Sequence, residues 1–308
     1  MNQWQDRLQE AEQACRLALE EPELARYGPA FAREFPAAED CYAALAQAGV
    51  SLESAAGLEQ VAHRLQAPPR AFERWMLLRA TQAAFPRVAN WPVTDDVKTC
   101  WADEALFFAR PPNFGLPFFL VTDVRFREMA RIATLQRYPA GQFHWEVSSF
   151  PRSWLLKAPV GDWWRMGKSV LLEMRGISPV AEIHVNDRRK NRLTLSESEA
   201  LRSYYRLARS LELQPEFHGS IACSWLYCPS TAILAPRMAW MREFFLDHGA
   251  VLFPIGPAPT DSGFLVGSEE RRRLYEQGSY RPTMTCVVWP KPRMLAWANT
   301  YTDPDSAG

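Results

Sequence analysis

One unit of this 308-residue chain constrains the fold more than any other. The strand-like run VAEIHV (180–185) breaks into NDRRKNR, leads into a well-punctuated helix, and is followed by a second strand-like run, SIACSWLY (220–227). Ser196 stands where an N-cap belongs, with Glu199 three residues on as in a capping box. Leu201, Tyr204, Tyr205, Ala208 and Leu211 fall on one face of a helix over 196–212, and that face needs a sheet to cover it. A strand, a basic loop, a helix and a strand in succession therefore predict a sheet with a helix packed against it.

The flanks show which kind of domain surrounds this unit. Upstream, ARIATLQRY, QFHWEVSSF and KSVLLEMRG read as three further strands, joined by Pro139-Ala140-Gly141, by a Pro- and Trp-rich loop, and by Gly176-Ile177-Ser178-Pro179. Short links favour antiparallel neighbours. Downstream, helical PRMAWMREFFLDHG, SEERRRLYEQG and KPRMLAWANTY alternate with strand-like AVLFPIG and TCVVW. The first 110 residues are helical throughout: apolar stripes run through WQDRLQEAEQACRLALEE, AAEDCYAALAQAG stops at Gly49, Ser54 can start AAGLEQVAHRL, and Thr94 with two acids opens TDDVKTCWADEALFFAR. The fold class expected is α+β or α/β. A helical domain over 1–125 precedes a mixed-sheet domain over 126–302, with a frayed tail at 303–308.

Composition excludes some functions. Thirty-five basic residues balance thirty-five acidic ones, so no global charge draws the chain to nucleic acid or to an acidic membrane, and neither is expected as a partner. The opening residues mix charges and glutamines at short intervals, and no run of eighteen apolar residues follows, so a soluble, cytoplasmic chain is expected. Six cysteines without a CxxC pair read as reduced packing thiols, not as a zinc site. The sequence leaves the oligomeric state open.

Chemistry concentrates at the ends of the two strand-like runs. Arg188, Arg189, Lys190 and Arg192 crowd the loop before Ser196, and unpaired N–H groups at a helix start attract anions; this loop is either a phosphate cradle or a solvated charged turn. Glu182 and His184 alternate on one strand and share a face, so either could act as a general base. Ser224 and Trp225 face opposite ways; Ser224 could donate to a carbonyl or thiolate, and Tyr227 is a candidate acid. His144 and Glu146 repeat the alternation on another strand. His144, His184 and Glu182 also suggest a two-histidine, one-carboxylate metal centre as a competing reading, although no metal is expected.

TLQRYPAGQFHWE, EIHV with a Ser-rich helix start after it, and CSWLYCP followed by ILAPRMAWMREFF together resemble the GNAT-like acyltransferases that carry a helical N-acyltransferase domain before a GNAT-like domain. The resemblance spans roughly residues 20–255 by order of elements. It implies central parallel strands, here 180–186 and 219–225, splayed to admit the pantetheine arm of an acyl-CoA, a small-molecule donor whose acyl group passes to an amine. Three departures stand out. Cys228 occupies a position usually acidic, Asn186-Asp187-Arg188 replaces a Pro-Glu-Gly-like turn, and no glycine lies between Val185 and Ser196 to form the usual pyrophosphate loop. These departures leave room for a third reading, a non-catalytic ligand- or partner-binding protein on a degenerate acyltransferase fold.

Overall fold

The computed structural model describes residues 3–110, 124–186, 195–260, 262–265 and 268–303. The chain divides into two compact units, 1–140 and 141–308.

The first unit contains α1 (Gln3–Leu19), α2 (Pro22–Glu34), α3 (Ala38–Val50), α4 (Leu52–Arg64), α5 (Pro69–Val88), α6 (Asp95–Ala109), α7 (Val124–Ala133) and a short strand, β1 (Arg137–Pro139). Helix α5 is its axis. Phe72, Met76, Leu78, Ala80 and Ala84 are all fully buried, because the other helices wrap α5 on nearly every side. Phe31 of α2 meets Phe72 edge-on at 5.3 Å between ring centroids. The buried guanidinium of Arg74 is held by both Glu21 carboxylate oxygens, at 2.5 and 2.8 Å, and by the Ala109 carbonyl at 2.7 Å, which supplies the hydrogen bonds that a charge out of water requires.

Two sequence expectations change here. The start of α4 is capped by Ser51, whose hydroxyl accepts from the Ser54 N–H at 3.2 Å, so Ser54 lies one turn inside. ARIATLQRY is helical through Ala133, because Phe126, Ala130 and Ala133 recur at helical spacing and all are buried; only Arg137–Pro139 is extended.

In the second unit, five strands lie in the order β2 (Phe143–Ser148), β3 (Val180–Val185), β4 (Gly219–Ser224), β6 (Thr283–Pro290), β5 (Val251–Pro257). β3 and β4 are parallel, and the other neighbouring pairs are antiparallel. Gly219 is required where β4 begins: a Cβ there would meet the Trp289 carbonyl oxygen of β6 at 2.5 Å. One side of the sheet is covered by α10 (Glu197–Glu212), α12 (Trp240–Asp247) and α14 (Lys291–Ala298), with α11 (Pro229–Leu234) and α13 (Glu269–Glu276) between them in the chain. Tyr204 is the centre of that layer. Its ring stacks on Phe143 of the sheet at 4.8 Å and on Phe244 at 5.2 Å.

The other side is roofed by α8 (Arg152–Lys157), α9 (Val160–Gly167) and a π-helical turn, Lys168–Glu173. The sequence reading had a loop and then a strand, KSVLLEMRG, over this stretch. The correction follows from spacing. Met166, Val170 and Met174 recur every four residues and all are buried with Trp154, Phe253 and Val288 in one apolar cluster, whereas alternation would have buried Leu172 instead of exposing it.

Candidate functional site

Strand register builds the site. In the β2–β3 ladder His144 lies opposite His184 and Glu146 opposite Glu182, so the alternation that sends Phe143, Trp145 and Ile183 into the helical layer sends two imidazoles and two carboxylates to the other face. His184 Nε2 lies 3.3 Å from Glu146 Oε1 and has no other partner among the described residues. Glu182 is fixed separately, its Oε2 accepting from the Ser148 hydroxyl at 2.7 Å. His144 is buried, while Glu146, Glu182 and His184 keep partial access to solvent. Ligand atoms of Glu146, Glu182 and His184 all lie within 4.8 Å of one another.

Beside this cluster the sheet opens. The parallel β3–β4 ladder pairs Ala181 with Ser220 and Glu182 with Ile221, and among the described residues it goes no further. β4 itself remains fully paired with β6 out to Ser224. Along β4 the next residue on the cluster's face is Cys223, and the Cys286 thiol of β6 lies 2.9 Å from its sulfur. Burial, with the Cys223 thiol and the Glu182 carboxylate adding to it, holds the Cys286 thiol protonated far above its ordinary range.

The end of β3 and the start of α10 are tied together by the turn at Gly141. Asn186 donates to the Gly141 carbonyl at 3.2 Å, the Gln142 N–H donates to the Ser203 hydroxyl at 3.0 Å, and Ser203 donates in turn to the Glu199 carbonyl at 2.8 Å. Gly141 has φ +112°, and a Cβ there would press on Ser203 and Arg206 at 3.1 Å. Arg188, Arg189, Lys190 and Arg192 lie outside the described residues. Ser196 does occupy the N-cap position; its hydroxyl pairs with that of Ser198 at 2.9 Å, and Glu199 pairs with Arg202 at 3.1 Å, so the expected reciprocal capping box does not form.

The remaining candidates lie elsewhere. β4 ends at Ser224, on the face opposite Glu182 and His184, and its hydroxyl accepts from the Leu226 N–H at 3.2 Å to start a 3₁₀ turn. Trp225 belongs to that turn, and its indole donates to the Ser262 carbonyl at 3.0 Å. Tyr227 is buried against Phe245, and burial keeps its phenol protonated well above the ordinary range. Sequence reading gave Cys228 only a packing role. Burial works against its ionisation, but hydrogen bonds from Ser230 and from the Thr283 hydroxyl and N–H outweigh burial and lower the thiol below its ordinary value. The Cys223–Cys286 pair was equally invisible, because its members come from separate strands; only the ladder register brings them together.

No family model matches this chain, and no curated protein matches it. Among solved structures, it is similar to an acyltransferase in complex with decanoyl-CoA and teicoplanin, at 12% identity and TM-score 0.47 over 82% of this chain and 76% of the other. It is likewise similar to an acyltransferase in complex with decanoyl-CoA, at 14% identity and TM-score 0.45 over 82% and 78%. At that distance, function has to be read from this chain's own side chains.

Proposed function

We propose that the second unit transfers an acyl group from a CoA-type thioester to an amine. The observation that carries this reading is a parallel ladder ending after two residue pairs, directly beside a mostly buried imidazole–carboxylate pair. Strands that stop pairing leave backbone donors and acceptors turned toward the gap, where an extended amide-bearing arm such as pantetheine can bond to them. His184, oriented by Glu146, removes a proton from the acceptor nitrogen as that nitrogen attacks the thioester carbonyl carbon. The carbon–sulfur bond then breaks, and the departing thiolate takes up the proton that the His184 imidazole accepted from the amine. Glu182, held by Ser148, is the alternative base, whereas Ser224 and Tyr227, expected as donor and acid, are placed away from this cluster and take no part in the step. In this reading Arg188, Arg189, Lys190 and Arg192, with the start of α10 at Ser196, would meet the CoA pyrophosphate.

Thermal-shift titration with CoA thioesters of increasing chain length tests donor binding, since a ligand specific to the native state raises its melting temperature. The reading predicts a shift with CoA thioesters, larger than with free pantetheine, and loss of the difference in an Arg188→Ala/Arg189→Ala/Arg192→Ala protein of unchanged stability. A flat response to every thioester would overturn it.

A second reading is favoured by the same cluster: Glu146, Glu182 and His184 offer three close donors suited to a divalent cation. Elemental analysis of the purified protein, and the effect of a chelator on its melting temperature, distinguish the two. Acyl transfer by an imidazole base predicts indifference to chelation, and a metal centre predicts a loss.

A further inference from the structure

The roof over the sheet has an outer surface unlike the rest of the molecule. Its inward side is spent on the core through Trp154, Ala158, Met166, Val170 and Met174. Its outward side carries Leu156, Val160, Trp163, Trp164, Leu171 and Leu172, all exposed, with Trp164 at 79% and Leu156 at 82% of full accessibility. Single exposed apolar residues are ordinary on any surface, but six within seventeen positions form a patch. From α9 into the π-helical turn, Val160, Trp164, Lys168 and Leu171 follow one another at intervals of three and four, so they form a stripe along one side of a continuous helical stretch.

The polar residues between them are one-sided in charge. Residues 152–175 contain Arg152, Lys157, Arg165, Lys168 and Arg175 against Asp162 and Glu173. All five basic residues are exposed, whereas Glu173 is already engaged by Arg293 at 2.6 Å. The whole-chain charge of zero hides this local excess. Exposed indoles and aliphatic side chains, interspersed along the segment with exposed long basic side chains, match the chemistry of the boundary between lipid headgroups and acyl chains. A protein partner would also accept the apolar stripe, but the paired indoles and the cationic rim fit an anionic interface better.

We propose that the outer face of residues 152–175 docks on the surface of an anionic phospholipid bilayer. No helix among the described residues is long and apolar enough to cross a membrane, so the attachment is peripheral and lies in the plane of the interface. This proposal is independent of acyl transfer: it concerns the outside of the roof, while the imidazole–carboxylate cluster lies on the sheet, and the test reads membrane partitioning alone.

The test is flotation of the full chain with vesicles of phosphatidylcholine alone and of phosphatidylcholine containing phosphatidylglycerol. The protein should float with the anionic vesicles, much less with the neutral ones, and should be released by salt as screening shortens the reach of the charges. Each basic side chain near such a surface contributes about fivefold to partitioning, so Lys157→Gln/Arg165→Gln/Lys168→Gln should weaken it about a hundredfold. Trp163→Ser/Trp164→Ser should also abolish flotation with the anionic vesicles at low salt. Cooperative melting of each variant checks its fold, and if the tryptophan variant does not fold, the charge variant, which removes only surface groups, decides alone. Failure to float at low salt, or equal partitioning of the charge variant, would overturn the proposal. So would a dimer in light scattering that Trp164→Ser dissolves, because a second copy would then cover the face.

Discussion

The two faces of β2 and β3 are made from the same twelve residues and do opposite things. On one, Phe143, Trp145 and Ile183 are buried, and the Tyr204 ring lies parallel to Phe143. On the other, His144, Glu146, Glu182 and His184 stand in register with solvent still reaching three of them. The first face is saturated by packing and has one best arrangement. The second keeps ionisable side chains that no apolar layer fills in around. The contrast teaches that, over 143–146 and 181–184, strand parity separates what holds this sheet together from what it has available for chemistry.

The sharpest way to break the contrast is His184→Ala. A positioned base contributes about 10²–10⁴-fold, so turnover should fall by that much while melting temperature and thioester binding stay close to wild type. Single-turnover rates and melting on one sample decide it; a folded, fully active variant would move the base to Glu182. From the opposite face, Tyr204→Ala should cost about 3–5 kcal/mol in denaturant unfolding through the cavity it opens, with activity falling only as the folded fraction falls. Glu146→Gln keeps the shape but removes the charge beside His184; about a tenfold to hundredfold loss of rate at near-native stability would place Glu146 as an orienting partner, read most clearly as a change in the pH–rate profile.

A last test carries the contrast to thiols. In the first unit, burial pushes Cys15 and Cys41 up to about 12 from an ordinary 9.0. A raised folded-state value means that their stabilisation is complete below pH 9 and is lost as pH rises toward 12, at about 1.4 kcal/mol per pH unit for each thiol that ionises on unfolding. Urea melts of Cys15→Ala/Cys41→Ala should therefore show a shallower loss of stability across that window than the parent protein.

Legibility in the sequence followed the strength of local pattern. Helix α10 was readable from Ser196 and the Tyr204–Leu211 stripe, and β2 and β3 from strict alternation, so Glu182 and His184 could be paired on one face before any coordinates. The roof was not readable. Pro151, Pro159 and Gly161 suggested a loop, and Val170-Leu171-Leu172 suggested a strand, because burial at every fourth residue shows only once it is known which leucines face outward. Glu146 was identified as repeating the alternation, but its distance to His184 depends on register, which no single strand specifies. The same holds for Cys223 and Cys286, whose meeting is set by the β4–β6 ladder.

The short parallel ladder makes the sheet mechanically two pieces, β2–β3 and β4–β6–β5, joined at Ala181–Glu182 and Ser220–Ile221. In hydrogen exchange this should appear as an alternation along β4. Amides bonded to β6 are protected by an antiparallel ladder that runs the strand's full length, while their neighbours beyond Ile221, turned toward β3, meet no strand partner and should exchange as quickly as loop amides. A bound extended ligand would slow every second amide and leave the rest unchanged, a footprint that reads occupancy of the gap without following any reaction.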